Sequence, residues 1–159
     1  MASSVPLSEI KVGLEYLFRE TFESVHGIFL DKGTSVFETL ATISADEASI
    51  PVSRSCATLA AQIEHMRFYL DTIEGYMLKT VEGSVDWNHI WTTVSAVTSD
   101  EWDASKARLR ASYDRVTRGF QAMETMQGED DLGAAMAMIA HSAYHLGEIR
   151  QALCTLRQG

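Results

Sequence analysis

Two histidines, His141 and His145, stand four residues apart in the stretch AHSAYHLGEIRQAL (140–153) of a chain that has only five. Helical side chains are spaced about 100° apart, so these imidazoles sit about 40° apart on one face, one turn from each other. Two ligands of a single metal ion need that arrangement. Glu148 follows His145 by three residues on the same face, where its carboxylate can ligate or accept the proton of an imidazole N–H. Ala134, Ala137 and Ala152 line this face too, and small side chains around polar ones leave room for a cavity.

A third imidazole, His65, lies near the middle of another helical segment, in AAQIEHMRFYL. Its neighbours on that face are Thr58, Tyr69, Thr72 and Tyr76, a polar and aromatic surround. Mid-helix residues meet at one height in a bundle whichever way each helix runs. His65, His141 and His145 would then form an open centre of three nitrogens, with further positions left for water or substrate. An ion held this way acts as a Lewis acid and acidifies bound water or thiol. The alternative is a set of core histidines hydrogen-bonded to their neighbours, and spacing alone leaves both readings open. His26 precedes Gly27 near the end of the first helix, where a cationic ring suits the dipole. His89 sits between Trp87 and Trp91 and reads as a surface or packing residue.

Four segments carry the apolar spacing of long helices: about Ser8–Leu30, Ser53–Lys79, Ser99–Met126 and Asp130–Arg157. On the first, Ile10, Leu14, Leu17, Val25 and Ile28 fall on or near one stripe. On the second, the stripe is Leu59, Met66, Leu70, Ile73 and Met77. Thr98 and Glu101 form a capping box before the third helix, and Ser35 with Glu38 forms another in the first long connection. Asp130 and Asp131 place negative charge at the start of the fourth helix, with Arg150 and Arg157 toward its other end. No strand alternation is sustained, so the expected fold is all-α, a single four-helix-bundle domain over residues 1–159. The long connection from about Thr80 to Thr98 can run the length of a bundle and set neighbouring helices parallel.

The bulk properties narrow the function classes. Hydrophobic residues make up 46% of the chain and charged ones 22%, as in ordinary globular proteins. The formal net charge of −9 argues against nucleic-acid binding, which needs clustered Lys and Arg. No apolar run is long enough for a membrane span, and the opening MASSVPLSEI has no basic region or apolar stretch typical of a secretory leader. Cys56 and Cys154 lie far apart without finger-like spacing and are expected to be buried thiols of a reducing, cytoplasmic compartment.

With AAQIEHMRFYL, the crossover VDWNHIW…VTSDEWDASKARLRASYDRV and AHSAYHLGEIRQAL taken together, the chain resembles the DinB-like superfamily, which includes YfiT-type proteins. The resemblance covers nearly the whole length. It implies a four-helix bundle in up-down-down-up order, a divalent metal held by His65, His141 and His145, and a homodimer. Some members of that superfamily are thiol S-transferases using low-molecular-weight thiols.

Three functions follow as expectations. The first is a metal-dependent transferase acting on a small molecule with a low-molecular-weight thiol, the ion being zinc or nickel. In it Glu148 orients an imidazole or moves a proton, while Tyr69, Tyr76, Trp87 and Trp91 could wall the pocket. Arg67 and Arg150 could meet a substrate carboxylate, though solvated charge is their default state. The second is a hydrolase using the same ligands, with Glu148 as base; Glu64 is the poorer choice because it points about 100° away from His65. The third is a non-catalytic metal or ligand binder, or a dimeric bundle whose histidines are structural.

Overall fold

The computed structural model describes residues 5–126 and 128–158, with side chains left aside at 128 and 129. The first four residues of the opening read above for a leader lie outside the described residues. Among the described residues seven helices follow in order: α1 (Leu7–Phe22), α2 (Val36–Leu40), α3 (Ala45–Ser49), α4 (Leu59–Met77), α5 (His89–Thr93), α6 (Ser99–Ala122) and α7 (Gly128–Leu156). The four long ones, α1, α4, α6 and α7, are the expected bundle. No helix among the described residues is long and apolar enough to cross a membrane.

Side-chain pairs fix the direction of each long helix. Lys11, early in α1, donates to the carbonyls of Gln121 and Met123 at the end of α6, while Glu23 at the other end of α1 pairs with Arg110. These two helices are therefore antiparallel. Glu64 accepts from Ser105 and Arg108, Asp71 from Ser112 and Arg115, and Glu74 from Arg115, so α4 and α6 run parallel. Gln62 and His65 reach His145 and His141 respectively, so α4 and α7 are antiparallel. The order is up-down-down-up, as the resemblance implied.

The core is one apolar cluster shared by the four long helices and the α2–α3 segment. Leu14, Phe18 and Phe22 enter it from α1 at a spacing of four, with Phe18 and Phe22 both packed on Tyr113 of α6. Trp102 is buried and donates its indole N–H to the Ile43 carbonyl, tying α6 to the first connection. That connection holds two short helices, and each starts at a capping box: Ser35 with Glu38 as expected, and Ser44 with Glu47.

Several boundaries differ from the expected ones. The first helix stops at Phe22, eight residues short of Leu30, and Ile28 is exposed instead of lying on its apolar stripe. The reason is the Glu20 carboxylate, which is fully buried and accepts the backbone N–H groups of His26, Ile28, Phe29 and Leu30. These donors can converge on one carboxylate only if the chain leaves the helix, and Gly27 at φ +83° permits the turn. The second helix begins at Leu59, not Ser53, because Thr58 caps it: its hydroxyl accepts from the Ala61 N–H and donates to the Ser95 carbonyl. The third ends at Ala122 and the fourth begins at Gly128. Cys56 and Cys154 are exposed, contrary to the expected burial. Cys56 falls in the turn that precedes the shortened α4, and Cys154 lies on the solvent side of α7.

Burial alone pushes the Glu20 carboxyl up, and the four backbone donors together outweigh it, leaving the group below its ordinary value. Its contribution to stability is thus complete above the usual carboxylate range and is lost as pH falls through the lowered folded value. Glu20→Gln is expected to cost about 1–3 kcal/mol near neutral pH, since one of the two acceptor oxygens becomes a donor facing donors. Urea unfolding of both proteins from about pH 6 to pH 3 checks this, the gap closing toward acid. A gap that stays constant over that range would show that the carboxylate does not hold the loop.

Candidate metal centre

The antiparallel pair α4 and α7 brings His65, His141 and His145 together. Their ligand atoms all lie within 4.8 Å of one another, His65 and His145 being buried and His141 half-buried. Nε2 of His65 and Nε2 of His141 face each other at 3.2 Å. Two nitrogens about 2.05 Å from one tetrahedral ion stand roughly 3.3 Å apart, so this separation already suits shared ligation. His26 and His89 lie outside the cluster; His26 packs edge-on against Tyr16 in the loop after α1.

All three rings are held neutral, the form in which an imidazole ligates. Burial is the main cause: it lowers His65 to about 4 and His141 to about 3, with repulsion from His145 adding to both. His145 is also lowered by burial, against an opposing pull from the Glu148 carboxylate. Its Nδ1 lies 2.7 Å from Gln62 Oε1 and 2.8 Å from Glu148 Oε2. An ionised carboxylate can only accept, so Nδ1 carries the proton and donates, which leaves the Nε2 lone pair for an ion. The Tyr144 hydroxyl hydrogen-bonds the same carboxylate, which pushes the phenol up.

Aromatic rings hold the other two imidazoles in place. Tyr69 stacks on His141 at 3.6 Å between centroids and 13° between planes. Trp91, in α5, lies over His65 at 4.3 Å. Trp87 contacts Phe68 and Tyr69 and so supports the site without touching the histidines. Tyr76 is turned away: its hydroxyl donates to the Gly83 carbonyl. Nδ1 of His65 is buried with no hydrogen-bond partner among the described residues. Such an orphan costs about 1–3 kcal/mol, and a core built for stability alone would fill the position with an apolar side chain. The donor set, its neutrality and its spacing fit one divalent transition-metal ion.

The remaining expected residues separate cleanly. Glu148 touches His145 as described. Glu64 faces α6, where Arg108 and Ser105 satisfy it together with Arg67 of its own helix, and it takes no part in the cluster. Arg67 is engaged by Glu64 and Asp71, so it does not await a substrate carboxylate. Ala134 and Ala137 open onto a groove of about 770 Å³ beside Ile73 and Tyr76, and Ala152 onto another of about 690 Å³ beside Gln62 and Glu148. Gln62 is the functional neighbour not singled out from the sequence. Its position three residues before His65, on the same face, was the available signal.

No family model, curated protein or solved structure matches this chain.

Gln62→Leu keeps the approximate volume but removes one of the two acceptors that fix the His145 tautomer. Affinity for zinc is expected to fall about tenfold, with little change in the unfolding midpoint because Gln62 is only half-buried. Competition against a chromophoric chelator measures it, and an unchanged affinity would leave the tautomer to Glu148 alone.

Proposed function

We propose that this chain is a metal-dependent transferase of the DinB-like kind, acting on a small molecule with a low-molecular-weight thiol as cosubstrate. The carrying observation is the cluster of three neutral imidazoles on two antiparallel helices, with ligand atoms inside 4.8 Å. His65, His141 and His145 would hold one divalent ion, zinc or nickel. An ion at this position supplies Lewis acidity and stabilises a thiolate near neutral pH.

The chain's own residues do the rest. Gln62 and Glu148 keep the proton on Nδ1 of His145 and thereby present Nε2. Tyr69 and Trp91 hold the other rings and narrow the access of bulk water by covering their faces. In the transfer itself, the thiol proton passes to solvent and the sulfur lone pair forms the new bond to the electrophile. The leaving group departs with the electrons of the bond that breaks. Glu148 serves as a positioning residue through His145, and its half-exposed carboxylate can also take the thiol proton on its way to solvent. The homodimer and the cytoplasmic setting belong to the same proposal and rest on the resemblance and the composition.

Elemental analysis of protein purified without an affinity tag or chelator tests the centre. About one zinc or nickel per chain is expected, lost in His141→Ala with the helical circular dichroism retained. A screen of thiols against alkyl and epoxide electrophiles then tests transfer, and metal-loaded protein inactive with every thiol but active on esters or amides would replace the transferase with a hydrolase. Absence of metal in both proteins, and no uptake on reconstitution, would overturn the proposal.

A further inference from the structure

The electrostatics around the three imidazoles are one-sided. Glu148 is the charged side chain in contact with the cluster, 2.8 Å from Nδ1 of His145. The cations nearest the ligand histidines in sequence do not line the groove beside Glu148. Arg67, two residues from His65, is held on the α6 side by Glu64 and Asp71. Arg150, two residues after Glu148, is exposed and does not line the groove. Lys79 lines a different groove, together with Asp130 and Asp131.

The groove beside Glu148 repeats this pattern. Gln62, Tyr144, Gln151 and Thr155 give it uncharged polar walls, and among its described lining residues none is lysine or arginine. It adjoins the centre at the Nδ1 side of His145, because Gln62 and Glu148 both line it and both accept from that nitrogen, while the three histidines are not among its lining residues. A divalent ion, a thiolate and the Glu148 carboxylate already sum to zero charge. A further carboxylate on the ligand would meet no lysine or arginine among the groove's described lining residues, whereas an ammonium there would meet the Glu148 carboxylate.

We infer that the centre chooses its small-molecule ligand by charge, taking an amine-bearing thiol with the ammonium directed to Glu148 and its groove, and disfavouring a carboxylate-bearing one. This rests on the metal-binding reading above. The selective residue is Glu148, acting as counter-charge in addition to its hold on His145, and the class of ligand is a small aminothiol.

The test uses the full chain loaded with cobalt(II) and titrated, with visible absorption as the readout, against cysteamine and 3-mercaptopropionate. The two thiols differ in their own acidity, so the informative quantity is the ratio of their affinities in each protein relative to the native ratio. Gln151→Lys places a cation on the groove wall without touching a metal-binding side chain. It is expected to reduce the preference for cysteamine about tenfold. Glu148→Gln, compared at equal cobalt content, is expected to reduce it by a similar factor. Ratios unchanged in both variants, with cobalt bound normally, would overturn the charge selection and leave the metal centre standing. Failure of the native chain to take up cobalt would overturn the metal centre and this inference together.

Discussion

The rotational setting of α4 is the constraint on which the centre depends. Glu64 and His65 are adjacent, so their side chains leave the helix about 100° apart and cannot face the same neighbour. Glu64 is committed to α6, where Ser105 and Arg108 reach its carboxylate and Arg67 closes the ring from its own helix. Burial alone pushes this carboxyl up, and these three partners bring it below its ordinary value, so it stays ionised. A buried carboxylate without those donors would be costly, which makes any other rotation of α4 unfavourable. Asp71 and Glu74 repeat the attachment farther along the helix, to Ser112 and Arg115. With one flank of α4 fixed against α6, the other flank, carrying Gln62, His65 and Tyr69, is presented to α7.

What this flank assembles is poor in stability terms. Three desolvated imidazoles crowd together, repel one another when protonated, and leave one ring nitrogen without a partner among the described residues. Apolar side chains of similar volume would pack there at lower cost. The surroundings instead hold the rings in a fixed geometry: Tyr69 stacks on His141, Trp91 covers His65, and Gln62 with Glu148 orients His145. A site that sacrifices local stability while its supports restrict its motion has the character expected of a functional one.

Much of this was legible in the sequence because the signals are local. Helical periodicity, the Thr98 and Ser35 capping boxes and the four-residue spacing of His141 and His145 all act within one or two turns. The juxtaposition of His65 with that pair also followed, since mid-helix positions meet in a bundle. The errors arose where distant groups decide. Val25 and Ile28 continue the apolar period of α1, yet the helix ends because Glu20 draws the amides of the following loop onto itself. Ser53 could begin a helix by periodicity, but Thr58 does so with help from Ser95, thirty-seven residues away. The exposure of Cys56 follows from that later start. Ser44 and Glu47 form a capping box as regular as that of Ser35, opening a helix of five residues, too short for an apolar period to mark. Gln62 became meaningful only when His145 was placed opposite it.

Topology then links the bundle to the cover of its site. Parallel neighbours such as α4 and α6 require a connection that returns along the bundle, and residues 78–98 provide it. Gly75 lets that return begin closely, since a Cβ there would lie 2.5 Å from the Val81 side chain. The far end is tied by Thr58 to Ser95 and by Ser49 to Val97. Between the ties, Ile90 is buried, and this anchor sets the adjacent Trp91 over His65. An up-down-up-down bundle would join its helices by short turns and would have no such strap. The order of helix directions therefore does more than arrange the core: it supplies the aromatic cover of the centre.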